Sequence, residues 1–134
     1  MWTFVIPTGY LYDPSGKQLE PAGYAGNGAG KNNPSAVDQH DVGPLPPGLY
    51  GIGPAYDSPK TGLLSMNLTP DPSNNMYGRS GFRLHGDSIE HPGNASDGCI
   101  VQSHDNRVLV NQSTDKLLQV VVAYPIVADP ELSS

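Results

Sequence analysis

The sequence holds one cysteine, Cys99, which excludes a disulfide within the chain and any site built from several thiolates. Charge is also scarce: 15% of the 134 residues are charged, and 7 Lys and Arg stand against 13 Asp and Glu. The resulting net charge of -6 repels phosphate backbones and anionic lipid, which argues against nucleic acid as a partner and against membrane association. No apolar run approaches the roughly 18 residues of a membrane-spanning helix. The opening MWTFVIPTGY has no basic stretch and breaks at Pro7, so it reads as a first strand, Trp2 to Ile6, and not as a secretory signal.

What the chain has in quantity is 16 Gly and 14 Pro, spread along its length, with 37% hydrophobic residues. That composition predicts a mainly β protein of short strands joined by turns, with at most one or two short helices. The length suits one compact domain, residues 1-134, with a frayed tail at 128-134. Tyr10 to Tyr12 and Lys17 to Leu19 flank Asp13-Pro14-Ser15-Gly16, the signature of a hairpin turn. Tyr24 to Pro34, YAGNGAGKNNP, is too rich in Gly and Asn for a regular element and is expected to be a flexible or substrate-lining surface loop, Tyr24 among its residues. It matches neither a phosphate-binding loop, since Ala25 replaces the first Gly and Asn32 the hydroxyl residue, nor a dinucleotide fingerprint, since Lys31 stands where Gly is needed.

Leu49 to Ile52 follows a Pro-rich entry and reads as a strand, and Leu64, Met66 and Leu68 alternate as another. In GFRLHG, residues 81-86, Phe82 and Leu84 face the core while Arg83 and His85 face the other side. Ser103 to Gln112 suits a helix capped by Ser103, although RVLV also suits a strand. Leu117 to Tyr124 is apolar on both faces and is expected to be a central buried strand. Three Asn-x-Ser/Thr triplets, at Asn67, Asn94 and Asn111, read as chance, because a glycan at Asn94 would obstruct the segment with the most chemistry in it.

That segment is HGDSIEHPGNASDGCI, residues 85-100. An ordinary thiol has a pKa of about 8.5, so a nucleophilic cysteine needs a neighbouring imidazole to hold it as thiolate and to protonate the leaving amine. His85 is the candidate, at the end of a strand, with Gly86 giving the backbone room to turn. Gly98, directly before Cys99, removes a side chain that would obstruct an incoming carbonyl, and the amides of Gly98 and Cys99 are candidates for an oxyanion hole.

HG, a short loop and then S-x-G-C-I resemble the signature of YkuD-like L,D-transpeptidase catalytic domains. YAGNGAGKNNP, GPLPPGLYGIGP, GRSGFRLHGDS and ASDGCI, in that order, resemble the type VI secretion L,D-transpeptidase effector family over roughly Tyr10 to Val122. The resemblance implies a β-sandwich or partly closed barrel. It implies Cys99 as the acylated nucleophile, His85 as its base, and Ser96 and Gly98 as shapers of the nucleophile turn. Asp87 and Ser88 are expected to orient His85 or contact substrate, and Arg83, Arg79, Asp97 and Tyr24 complete the expected substrate set. Arg79 and Arg83 either receive a stem carboxylate or are solvated strand residues; Arg107 reads as a surface or structural ion-pair residue.

The activity implied is L,D-carboxypeptidase or L,D-transpeptidase chemistry on peptidoglycan tetrapeptide stems, with no cofactor and no metal. Asp97, where the wider family usually has His or Asn, and a short loop before Cys99 fit trimming and D-amino acid exchange better than 3-3 crosslinking. The resemblance further implies secretion machinery and an immunity protein as partners, and a protein made in the bacterial cytoplasm and delivered to a target periplasm. Two other readings compete: a catalytically silent wall-binding module in which Cys99 only packs, and a zinc peptidase using His85, Asp87, His91 or His104, for which no rigid motif such as H-E-x-x-H exists. Sortases and papain-like peptidases fit poorly by the order and spacing of His and Cys.

Overall fold

The computed structural model describes residues 1-124; the tail expected at 128-134 lies outside them. Among the described residues ten strands form one mixed sheet, in the order β3 (Gln18–Leu19), β2 (Leu11–Tyr12), β1 (Trp2–Val5), β10 (Leu117–Val121), β5 (Gly48–Ile52), β7 (Gly62–Pro70), β8 (Arg83–His85), β9 (Ile100–Val101) and β4 (Tyr24–Ala25), with β6 (Tyr56–Ser58) paired to β7. The mainly β expectation holds. The path is open, with β3 and β4 at its ends, and is not closed into a barrel.

β1 (Trp2–Val5) runs parallel to β10 (Leu117–Val121), which in turn lies antiparallel to β5 (Gly48–Ile52). β2 (Leu11–Tyr12) and β3 (Gln18–Leu19) are the expected hairpin, and its turn closes on Asp13, whose Oδ1 accepts from the Ser15 and Lys17 amides and the Ser15 hydroxyl. β10 is central as expected but buried on one face only: Leu118 and Val120 enter the core, whereas Leu117 is 56% exposed. A strand inside a sheet is apolar on both faces only where both faces are covered, and here one is not.

The long strand β7 (Gly62–Pro70) carries the sheet from the core to the site. Its start pairs with β6 (Tyr56–Ser58), its middle with β8 (Arg83–His85) and its end with β5. β8 lies parallel to β9 (Ile100–Val101), which pairs with β4 (Tyr24–Ala25). The core sits on the inner face of these strands, where Phe4, Tyr50, Met66, Leu84, Ile100 and Leu118 are buried together. At about 25 cal/mol per Å² of apolar surface removed from water, such side chains hold the strands that aim the site.

α1 (His104–Gln112) is the single α-helix among the described residues, and it settles the 103-112 alternative in favour of a helix. Ser103 caps it, its hydroxyl accepting the Asn106 amide, and Val110 faces the core. No helix among the described residues is long and apolar enough to cross a membrane.

Candidate active site

The β8-β9 pairing decides the site. Leu84 stands opposite Ile100 and His85 opposite Val101, so period two puts Cys99, the residue before β9, on the same sheet face as His85 and Arg83. Leu84 and Ile100 point the other way, into the core, as the alternation of GFRLHG predicts. Cys99 and His85 line one cavity of about 320 Å³, with Lys60, Arg83, Asp97 and Asp41 around them. The 86-99 connection therefore returns the thiol to the imidazole's side of the sheet.

His85 is buried, and its Nδ1 lies 2.8 Å from the Gly86 carbonyl oxygen. A carbonyl can only accept, so Nδ1 carries the proton and Nε2 keeps its lone pair. The Cys99 Sγ accepts the Arg83 amide at 3.3 Å. Burial pushes the Cys99 thiol up and the His85 imidazole down from their ordinary values. Both shifts favour the neutral forms, a thiol and an uncharged imidazole that line the same cavity. This pair suits proton transfer at the moment of attack.

The turn that leads into Cys99, the candidate nucleophile turn, is built by Ser96. Its buried hydroxyl accepts from the Gly26 amide at 2.9 Å and the Gly98 amide at 3.0 Å, and donates to the Cys99 carbonyl at 2.6 Å. The expected oxyanion pair is corrected by this arrangement, because the Gly98 amide is already committed to Ser96. The Cys99 amide takes no acceptor among the described residues.

Gly98 has φ +134, and a Cβ there would lie 2.5 Å from Arg79 Nη2 and 2.8 Å from Phe82 Cε1. It clears space for a buried arginine, not for an incoming carbonyl. Arg79 donates to the carbonyls of Val37, Pro44, Gly43 and Asp97 at 2.7 to 3.2 Å. It is thus a buried residue and no solvated strand residue, with both terminal nitrogens spent on holding the 37-44 segment to the turn before Cys99.

Gly86 plays the same part on the histidine side. A Cβ there would meet Arg107 Nη2 at 2.6 Å. Arg107 is buried and donates to Gln102, Leu63 and Leu64 carbonyls, so it is a backbone staple and not the expected ion-pair residue.

Asp87 and Ser88 do not hydrogen-bond His85; Gly86 holds its ring instead. Asp87 accepts from the Tyr24 hydroxyl and the Ser88 and Gly93 amides, and the Ser88 hydroxyl accepts the His91 amide. Together they shape the loop that follows His85. Tyr24 also accepts the Ala95 amide, and burial together with the Asp87 hydrogen bond pushes its phenol up to about 12. It lines a different cavity, beside Gln102 and His104, and is a strut of the 86-95 loop and not part of the Cys99 cavity.

The 24-34 segment is likewise no flexible surface loop. Ala25 and Gly30 are buried, and Asn27 Nδ2 donates to both the Asp41 and Ser96 carbonyls at 2.8 Å. Gly26 and Asn27 support the nucleophile turn, a role sequence reading missed because it depends on contacts about 70 residues away. Arg83 stays at the cavity, half-buried, its Nη1 3.3 Å from Ser58 Oγ and its guanidinium 6.0 Å from the Tyr56 ring centroid. Asp97 also lines the cavity. Lys60, not singled out from sequence, joins them from the β6-β7 turn. No three His, Cys, Asp or Glu side chains converge among the described residues as a metal would require, which leaves the zinc reading without a ligand set.

Residues 20-123 match the family model of the Tlde1 domain. No curated protein and no solved structure matches the chain.

Proposed function

The chain belongs to the Tlde1 domain family, a type VI secretion effector family, and on that premise we propose that it is a peptidoglycan-modifying cysteine enzyme, an L,D-carboxypeptidase that also exchanges D-amino acids on tetrapeptide stems. The observation that carries this reading is the 2.8 Å contact between His85 Nδ1 and the Gly86 carbonyl, an acceptor that makes Nδ1 the donor and leaves Nε2 as a base on the face His85 shares with Cys99.

In the proposed cycle the Cys99 sulfur attacks the carbonyl of the diamino acid's L-centre while its proton passes to His85 Nε2. The Cys99 amide steadies the oxyanion. Collapse breaks the C–N bond, His85 returns the proton to the departing D-Ala amine, and a thioester remains. Water, or the amine of another D-amino acid, then attacks the thioester and gives a proton to His85. The sulfur leaves and recovers that proton, restoring the neutral pair. Asp97 and Arg83 line the cavity in which this happens.

On family grounds the enzyme is delivered by secretion machinery into the periplasm of a target cell, and a cognate immunity protein in the producing cell covers the groove. Tetrapeptide muropeptides incubated with the protein are expected to become tripeptides, or exchanged tetrapeptides when a D-amino acid is added. Mass spectrometry reads the products, and Cys99→Ala abolishes them. An unchanged profile from folded wild-type protein, with wall binding intact in Cys99→Ala, would instead establish a binding module.

A further inference from the structure

The cavity at Cys99 is one part of a longer groove. On one side it shares Gly81, Phe82 and Arg83 with a hollow of about 310 Å³ along the end of β7. On the other it shares Lys60, Thr61, His85 and Ala95 with a hollow of about 670 Å³ bounded by the 86-95 loop. The two sides are chemically distinct because His85 belongs to only one of them.

That asymmetry orients the substrate. The group that receives a proton from His85 is the leaving amine, so the leaving residue occupies the His85 side and the acyl part of the stem lies toward Arg83. A terminal amino acid carries its carboxylate one carbon beyond that amine, and a cation is needed at the same junction to meet it. The exposed Lys60 is the lysine that, like His85, lines both the Cys99 cavity and the larger hollow. Its ammonium enters neither of the ion pairs found among the described residues, whereas Arg83 lines the opposite hollow and is absent from the lining of the His85 side.

We propose that Lys60 is the specificity-determining cation that receives the α-carboxylate of the amino acid leaving Cys99, and of a free amino acid entering to replace it. This rests on the cysteine-acyl reading of the site. It makes the enzyme an exopeptidase by charge: a stem whose last residue is amidated, or extended by further residues, lacks the anion at the required place. The same ammonium selects free amino acids over other amines as acceptors in exchange, and the 670 Å³ hollow gives their side chains room.

The test compares tetrapeptide stems ending in a carboxylate or a carboxamide, with release of the terminal residue followed by mass spectrometry. Hydrogen bonds to charged groups are worth about 1.5 to 3 kcal/mol, so wild-type kcat/KM is expected to favour the acid by about tenfold or more. Lys60→Met removes that preference, chiefly through KM, and raises the concentration of D-amino acid needed for exchange; Lys60→Arg restores both. A wild type active through Cys99 whose Lys60→Met variant keeps the full acid-over-amide ratio would overturn this inference alone. A folded wild type that turns over neither peptide would overturn the cysteine-acyl reading beneath it.

Discussion

Gly98 and Arg79 fit only each other: the space a Cβ on Gly98 would fill is occupied by the Arg79 guanidinium, 2.5 Å away. The arginine sits under the nucleophile turn and bonds the Asp97 carbonyl, so the backbone that presents Cys99 rests on a buried cation. Gly86 and Arg107 repeat the relationship beneath His85. Both halves of the catalytic motif therefore contain a glycine because an arginine side chain passes against its backbone.

Gly98→Ala combines that clash with a φ of +134, which no L-residue adopts easily. The expected loss is about 3 kcal/mol or more, with activity lost alongside, as for other severe steric substitutions. Arg79→Met is expected to cost a similar amount by stranding four carbonyls, three of them in buried hydrogen bonds, and Arg79→Lys recovers only part because an ammonium cannot span them. Chemical denaturation of the three variants checks both figures; a fully stable Arg79→Met would show that the carbonyls find other partners.

Ser96→Ala removes three hydrogen bonds at once, two buried ones from Gly26 and Gly98 and a part-buried one to the Cys99 carbonyl. Two amides and a carbonyl lose their partner, so a loss of about 2 to 3 kcal/mol is expected, with a fall in kcat larger than any change in KM. Freed from Ser96, the Gly98 amide would no longer hold the turn's shape. Steady-state kinetics beside a denaturation curve separates the two effects, and unchanged kcat in a destabilised variant would reduce Ser96 to a structural role.

The pH dependence follows from burial of the reacting pair. His85 is depressed, so its base form persists below the ordinary imidazole value, and the acid limb of kcat/KM is expected below about 6.5. Cys99 is raised, so alkylation of the free enzyme is expected to be slow at neutral pH and to accelerate only above the ordinary thiol value of about 8.5. Stability carries the same signs. As pH falls through about 6.5 the unfolded imidazole binds a proton that the folded one resists, so folding weakens; as pH rises through about 8.5 the unfolded thiol ionises first, and folding weakens again. Urea titrations across pH 5 to 10 check this, and His85→Asn should flatten the acid side.

The hairpin at Asp13-Pro14-Ser15-Gly16 and the Ser103-capped helix were legible because local residues satisfy their backbone groups. GFRLHG was legible because alternation places Leu84 in the core and His85 on the other face, whatever the sheet beyond it. The 24-34 segment was not, since Gly and Asn report only that no regular element forms there and are silent on the nucleophile turn it supports. Arg79 and Arg107 were misread for the same reason: a guanidinium's partners are backbone carbonyls distant in sequence, and no local pattern records them.

By itself the sequence determined the strand-rich class and placed His85 and the one cysteine, Cys99, in a single short motif, because residue type and short-range periodicity fix those. Only the tertiary structure decided that β8 and β9 run side by side, that His85 Nδ1 meets the Gly86 carbonyl, that the Gly98 amide is spent on Ser96, and that Lys60 lines the cavity of His85 and Cys99. These depend on which backbone groups and side chains meet across the folded sheet, and such meetings are settled by packing and hydrogen-bond satisfaction over the whole chain.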